Sequence, residues 1–152
     1  MKQLAPSILS ADFICLGEQL KQLQKLCIHY LHIDVMDGMF VPSISFGMPV
    51  IASLRKHTDM FFDVHLMIEE PIRYVNALRQ AGADGLTVHA EACADLPGTI
   101  AAIRESGAKP AVCLSPKTPL SKLDGILDQV DMVLIMGAVS YTHLTLPTIR
   151  LV

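Results

Sequence analysis

Short apolar runs separated by amphipathic segments recur along this chain at roughly thirty-residue intervals, and this alternation constrains the fold more than any other feature. The runs at 4–9, 31–36, 61–67, 85–89, 110–114 and 132–136 read as six strands. Between the first two, Leu16, Leu20, Leu23 and Cys27 recur at helical spacing. Val50, Ile51 and Leu54 form a second short helical face within 49–56. Pro71 suits the first position of a helix carrying Tyr74, Val75 and Leu78, and Gly82 suits its end. Further helices are expected over 96–104, closed by Gly107, and over 120–127. Strand and helix in alternation predict repeated right-handed βα units and a parallel sheet.

Such a sheet can be open and doubly wound or can belong to a (β/α)8 barrel. The polar residues choose between them. Ser7, Asp34, His65, His89 and Ser115 fall at or just beyond the ends of successive strands, where barrel enzymes place their chemistry. A nucleotide-binding open sheet would carry a Gly-rich first turn, and this chain has none. The expected class is therefore α/β, a (β/α)8 TIM barrel. With 152 residues against the ~250 usual for that fold, the barrel is expected to be truncated after about strand six.

The net charge of −3 and the lack of basic runs argue against a nucleic-acid partner. No apolar stretch approaches the ~18 residues of a membrane span, and no leader pattern opens the chain. A cytoplasmic protein without a membrane partner is expected. Cys15, Cys27, Cys93 and Cys113 are scattered without a C-x-x-C pair, which suits reduced thiols.

Side chains alternate faces along a strand, so His32, Asp34 and Met36 share one side while Ile33 and Val35 share the other. An imidazole beside a carboxylate is either a core histidine bonded to its neighbour or half of a metal site. A second such pair, Asp63-x-His65, about thirty residues later shifts the balance toward metal.

The motifs Ala5-Pro-Ser-Ile-Leu-Ser-Ala-Asp-Phe13, His32-Ile-Asp-Val-Met-Asp-Gly38 and Phe40-Val-Pro42 resemble those of the ribulose-phosphate 3-epimerase family. Asp63-Val-His-Leu-Met67, Ala81-Gly-Ala-Asp84 and Val88-His-Ala-Glu91 continue the resemblance, which runs from about Leu4 to Met136 in the family's order. It implies a metal-dependent barrel of the ribulose-phosphate-binding type that interconverts D-ribulose 5-phosphate and D-xylulose 5-phosphate by inverting one carbon. Inversion beside a ketone wants two opposed acid–base groups, and a divalent cation suits the enediolate charge formed between the two proton transfers.

By the same resemblance, Asp34 is both metal ligand and catalytic base, His32 and His65 are further ligands, and Ser7 and His65 contact substrate. Met36, Met67 and Met136 would wall the reacting centre, although methionines at strand ends are ordinarily core filler. Two imidazoles with carboxylate oxygens suit one ion of zinc, ferrous iron, manganese or cobalt. Asp37 and Asp63 read better as turn formers or as hydrogen-bond partners of a ligand histidine than as acids. His89 reads as a hydrogen-bonding residue at the barrel mouth, and His29, His57 and His143 as surface residues. The partner implied is a small pentulose phosphate, with a homo-oligomer open to the full-length form.

Residues 1–136 are thus read as a partial barrel. The remaining 137–152 resemble no part of the epimerase and look like an in-frame translation of a sequencing adapter, the mark of an assembly artefact. A Gly-rich phosphate loop and the family's second catalytic aspartate, on the seventh strand, have no counterpart here, so this chain is expected to be inactive and poorly folded. Two other readings stay in view: an allulose-6-phosphate 3-epimerase with much the same ligands, and a non-catalytic half-barrel that binds metal or sugar phosphate. A decarboxylase or synthase of related barrel type would want Asp-x-Lys-x-x-Asp, which is absent.

Overall fold

A computed structural model of the chain describes residues 3–136; the expected foreign tail lies outside the described residues. Helix α1 (Leu16–Lys25) precedes β1 (Tyr30–Met36), α2 (Met48–Arg55), β2 (Phe61–Met67), α3 (Val75–Ala81), β3 (Gly85–His89), α4 (Leu96–Glu105), β4 (Lys109–Leu114) and β5 (Met132–Ile135). The five strands are parallel and lie in sheet order β1-β2-β3-β4-β5. A sheet whose spatial order follows chain order has no switch point, as in a (β/α)8 barrel wall. Among the described residues, no helix is long and apolar enough to cross a membrane.

Two expected elements take another form. The 4–9 run contributes one parallel bridge, Ser7 to His32, instead of a strand. The Pro6 carbonyl accepts the His32 N–H at 2.9 Å, but proline has no N–H to offer in return. The Ser7 hydroxyl then accepts the Leu9 N–H at 3.1 Å and caps a 3-10 turn, Ile8–Ser10, that carries the chain off the sheet. The 120–127 segment forms two 3-10 turns, Leu120–Leu123 and Leu127–Gln129. Gly125 lies between them at φ +76°, a left-handed conformation that an α-helix cannot contain. The helix opened by Pro71 is real, although its first turn, Pro71–Tyr74, is also 3-10.

The two sheet faces differ in chemistry. Leu31, Ile33, Phe62, Val64, Leu66, Leu86, Val88 and Val112 pack with Leu20, Ile51, Leu78, Ile100 and Ile103 of the helices in one core. The alternate positions carry His32, Asp34, Met36, Asp63, His65, Met67, Thr87, His89 and Cys113, all buried on the other face. Burial of both faces explains why the strands read as near-continuous apolar runs.

Arg55, at the end of α2, ties the layers together. Its guanidinium donates to Asp84 Oδ2 at 2.8 Å, to the Met60 carbonyl at 2.8 Å and to the Thr58 carbonyl, and lies 3.9 Å over the Phe62 ring. Asp84 Oδ2 also accepts the Phe62 N–H at 2.9 Å. Arg55→Ala is expected to destabilise the fold by about 2 kcal/mol, because it leaves carbonyls and a carboxylate half satisfied. Urea unfolding checks this, and an unchanged midpoint would contradict it.

Candidate active site

In-register pairing of β1 with β2 sets His32 opposite Asp63 and Asp34 opposite His65. The side chains meet on the inner face: His32 Nε2 lies 3.2 Å and His65 Nδ1 3.1 Å from the same oxygen, Asp34 Oδ1. The other oxygen, Asp34 Oδ2, accepts the Ser7 hydroxyl at 2.5 Å. Ser45 clamps the backbone here, accepting the Met36 N–H at 3.0 Å and donating to the Asp34 carbonyl at 2.7 Å. Asp34 and His65 lie two residues inside their strands, which run on to Met36 and Met67.

Each histidine nitrogen turned away from Asp34 Oδ1 has its own partner. His32 Nδ1 lies 3.1 Å from Asp63 Oδ2, and Asp63 Oδ1 accepts the Thr87 hydroxyl at 3.2 Å. His65 Nε2 lies 2.9 Å from His89 Nε2. Asp63 thus makes the bond to a candidate ligand histidine expected of it. Asp37 serves the following turn, where Oδ1 accepts the Met39 and Phe40 N–H groups at 2.8 and 3.0 Å, and Oδ2 accepts the Glu69 N–H at 2.8 Å.

Burial and charge oppose each other at these groups. Desolvation pulls the His32 imidazole down, but its hydrogen bonds and charge attraction to Asp34 and Asp63 outweigh it and raise His32 to about 10. Burial pushes Asp34 up, yet hydrogen bonds from His32 and His65 hold its carboxyl well below the usual carboxylate range. His89 is pulled down to about 4 by burial and by the neighbouring His65, against the attraction of Glu91, and is neutral near pH 7. Burial pushes the Cys113 thiol up to about 12.

His32, Asp34 and His65 can offer one ligand atom each, all within 4.8 Å of one another and all buried. Tetrahedral coordination with bonds of ~2.1 Å places ligand atoms about 3.4 Å apart, close to the 3.2 and 3.1 Å that separate the two histidine nitrogens from Asp34 Oδ1. A carboxylate on the far nitrogen of His32 is the usual way a ligand imidazole is oriented. The donor set fits a divalent ion of the zinc, iron, manganese or cobalt type.

Met36 and Met67 pair in register beyond Asp34 and His65 and are both buried. Met136 follows the end of β5, with three strands between it and β1 in the sheet order. Glu91 and Thr87 were not singled out from the sequence. Glu91 stands two residues after His89, with Oε2 3.4 Å from His89 Nδ1. Thr87 and Cys113 could have been found as polar or thiol positions in step with the buried histidines along their strands. All four cysteines are free thiols.

These features define an α/β protein of the parallel barrel class with a buried two-histidine, one-carboxylate centre. The chain belongs to the ribulose-phosphate 3 epimerase family, whose sequence profile matches residues 3–140. It is 48% identical to ribulose-phosphate 3-epimerase of Bacillus subtilis over 156 aligned residues, covering 99% of this chain and 72% of that protein. It is 44% identical to the Rhodobacter capsulatus ribulose-phosphate 3-epimerase, covering 88% and 59% of the two chains. The chloroplastic Arabidopsis thaliana ribulose-5-phosphate-3-epimerase is 48% identical, with 88% and 48% covered. The chain therefore spans about half to under three quarters of these relatives' lengths. Among solved structures, the fold matches tryptophan synthase subunit alpha of Legionella pneumophila with TM-score 0.61 at 17% identity, covering 89% of this chain and 62% of that one. A Pyrococcus furiosus tryptophan synthase alpha-subunit mutant gives TM-score 0.64 at 15% identity, with 89% and 66% covered. At those identities the likeness concerns the fold alone.

Proposed function

We propose that this site serves the interconversion of D-ribulose 5-phosphate and D-xylulose 5-phosphate by proton transfer at C3. The observation that carries the proposal is the convergence of His32 Nε2, Asp34 Oδ1 and His65 Nδ1 on one buried point, in a chain of this family. His32, Asp34 and His65 would hold one divalent ion, which supplies Lewis acidity toward the substrate's ketone and hydroxyl oxygens. The two oxygens of Asp34 divide the labour. Oδ1 faces the histidines, while Oδ2 keeps one lone pair for Ser7 and a second for the C3 proton. Asp34 stays ionised, as a base must, and Met36 and Met67 keep water from its strand end. Met136 and Ser7 are assigned to the substrate wall on family resemblance.

Inversion also needs a proton donor on the opposite face. Among the described residues, Asp63 is bonded to His32 and Thr87, and residues 137–152 contain no Asp or Glu. We read the second acid as lying outside residues 3–136, with 137–152 not supplying it. The expected result is no measurable epimerisation by the chain as given. A chimera in which 137–152 are replaced by the corresponding C-terminal segment of the Bacillus subtilis relative is expected to epimerise pentulose phosphate. A coupled assay with ribulose 5-phosphate, run beside allulose 6-phosphate, reads both. A folded, metal-loaded chimera without turnover would overturn the proposal, and turnover by the present chain would overturn the account of its missing acid.

A further inference from the structure

The pair His65 and His89 presents two buried imidazole nitrogens 2.9 Å apart, so one shared proton lies between them. Which ring owns it depends on the far nitrogen of His65. To offer a lone pair from Nδ1 to a cation, neutral His65 must carry its proton on Nε2. That N–H then donates to His89 Nε2, and the His89 proton moves to Nδ1. There it faces Glu91 Oε2 at 3.4 Å. Glu91 is held for this role from the next loop, its Oε1 accepting the Ser115 N–H at 2.9 Å and the Thr118 hydroxyl. The His65 and His89 rings stack with centroids 5.0 Å apart, and Phe40 packs on His89 at 4.9 Å.

The opposite tautomer suits the site without a cation. His65 Nδ1–H then donates to Asp34 Oδ1 at 3.1 Å, and His89 Nε2–H donates to His65 Nε2. This leaves His89 Nδ1 as a bare acceptor beside a carboxylate. That atom is buried and has no hydrogen-bond partner, the one such side-chain atom found among the described residues. Cation binding at His65 would repair that defect by moving two protons along a chain of two rings without changing the total.

The geometry points to His89, oriented by Glu91, as a positioning residue that sets the tautomer of the ligand His65 and so tunes cation affinity. This rests on the metal site proposed above and goes beyond it. A neighbouring arrangement competes: His65, His89 and Cys113 also bring ligand atoms within 4.8 Å of one another, and would make His89 a ligand with a thiolate beside it. The buried thiol, paired in register with His89 on β4, would then have to ionise.

Cobalt(II) titration of the full chain separates these possibilities, followed by its visible and near-ultraviolet absorption. His89→Gln keeps an acceptor oxygen for the His65 Nε2–H and is expected to bind within about threefold of the unaltered chain. His89→Leu removes the acceptor and is expected to weaken binding 10–100-fold, the range typical of such partners. Glu91→Ala, at a partly exposed side chain, is expected to weaken it several-fold and carries the test if His89→Leu does not fold. Cys113→Ser is expected to leave affinity and spectrum unchanged. Equal affinity in His89→Leu, or in Glu91→Ala where the leucine variant is unfolded, would overturn the inference while leaving the metal site standing. A thiolate charge-transfer band lost in Cys113→Ser would overturn it in favour of the second cluster. No cobalt binding by the unaltered chain would overturn this inference and the metal site together.

Discussion

Asp34→Asn is expected to cost on the order of a thousandfold in divalent-cation affinity, beyond the 10–100-fold that loss of an outer partner brings. In a chimera with the complete barrel it is expected to abolish C3 proton exchange. The reason is that one side chain serves two ends. Its Oδ1 is the point shared by His32 and His65, and its Oδ2 is the oxygen left for the proton. Asparagine keeps the shape and loses both the charge and one acceptor. The metal-free fold should survive, because His32 retains Asp63 and the Ser45 clamp acts on the Asp34 backbone. Cobalt titration and solvent-deuterium exchange at C3 read the two losses separately. A variant binding cobalt within tenfold of the unaltered chain would remove Asp34 from the ligand set, and one that still exchanged the proton would remove it as the base.

Cation affinity is expected to climb about tenfold per pH unit between pH 6 and 8. Asp34 and Asp63 raise His32 to about 10 against the cost of its burial, so across this window its imidazole is protonated and must shed that proton to bind. The same shifts give the metal-free chain the opposite trend. The folded-state value of His32 lies above its ordinary value of 6.5, so its contribution to stability is complete below about pH 6.5 and is lost as pH rises through 10. Asp34 is depressed, so its contribution is present above the ordinary carboxylate value and is lost as pH falls below it. Metal-free stability should therefore be greatest in mild acid, while the stabilisation conferred by cobalt or zinc grows toward pH 8. Calorimetric titration in buffers of different ionisation enthalpy counts the released proton; no release at pH 7 would contradict the assignment of His32.

Much of this architecture can be read from the chain because parallel strands buried on both faces leave long apolar runs, with the polar exceptions in step. His32 and Asp34, Asp63 and His65, and Thr87 and His89 each sit two apart, which places each pair on one face. Where the reading failed, a local group overrode the apolar pattern. Pro6 and the Ser7 hydroxyl end the first pairing after one bridge, and Gly125 divides the helix expected over 120–127. Partners joined only by the fold left no mark in the sequence. Nothing near Glu91 announces that Ser115 and Thr118 will hold it, and nothing near Arg55 announces its reach to Asp84.

The facing of His32 with Asp63 and of Asp34 with His65 has a bearing on how the chain finds its fold. Acid and imidazole alternate along each strand and across the pair, like the squares of a chequerboard. Sliding β2 by two residues in one direction would set His32 against His65, and in the other Asp34 against Asp63. Sliding it by one would turn the acid and imidazole into the Leu, Ile and Val layer beneath the helices. The groups proposed to hold the cation therefore also proofread the alignment of the first two strands while they pair, before any ligand arrives.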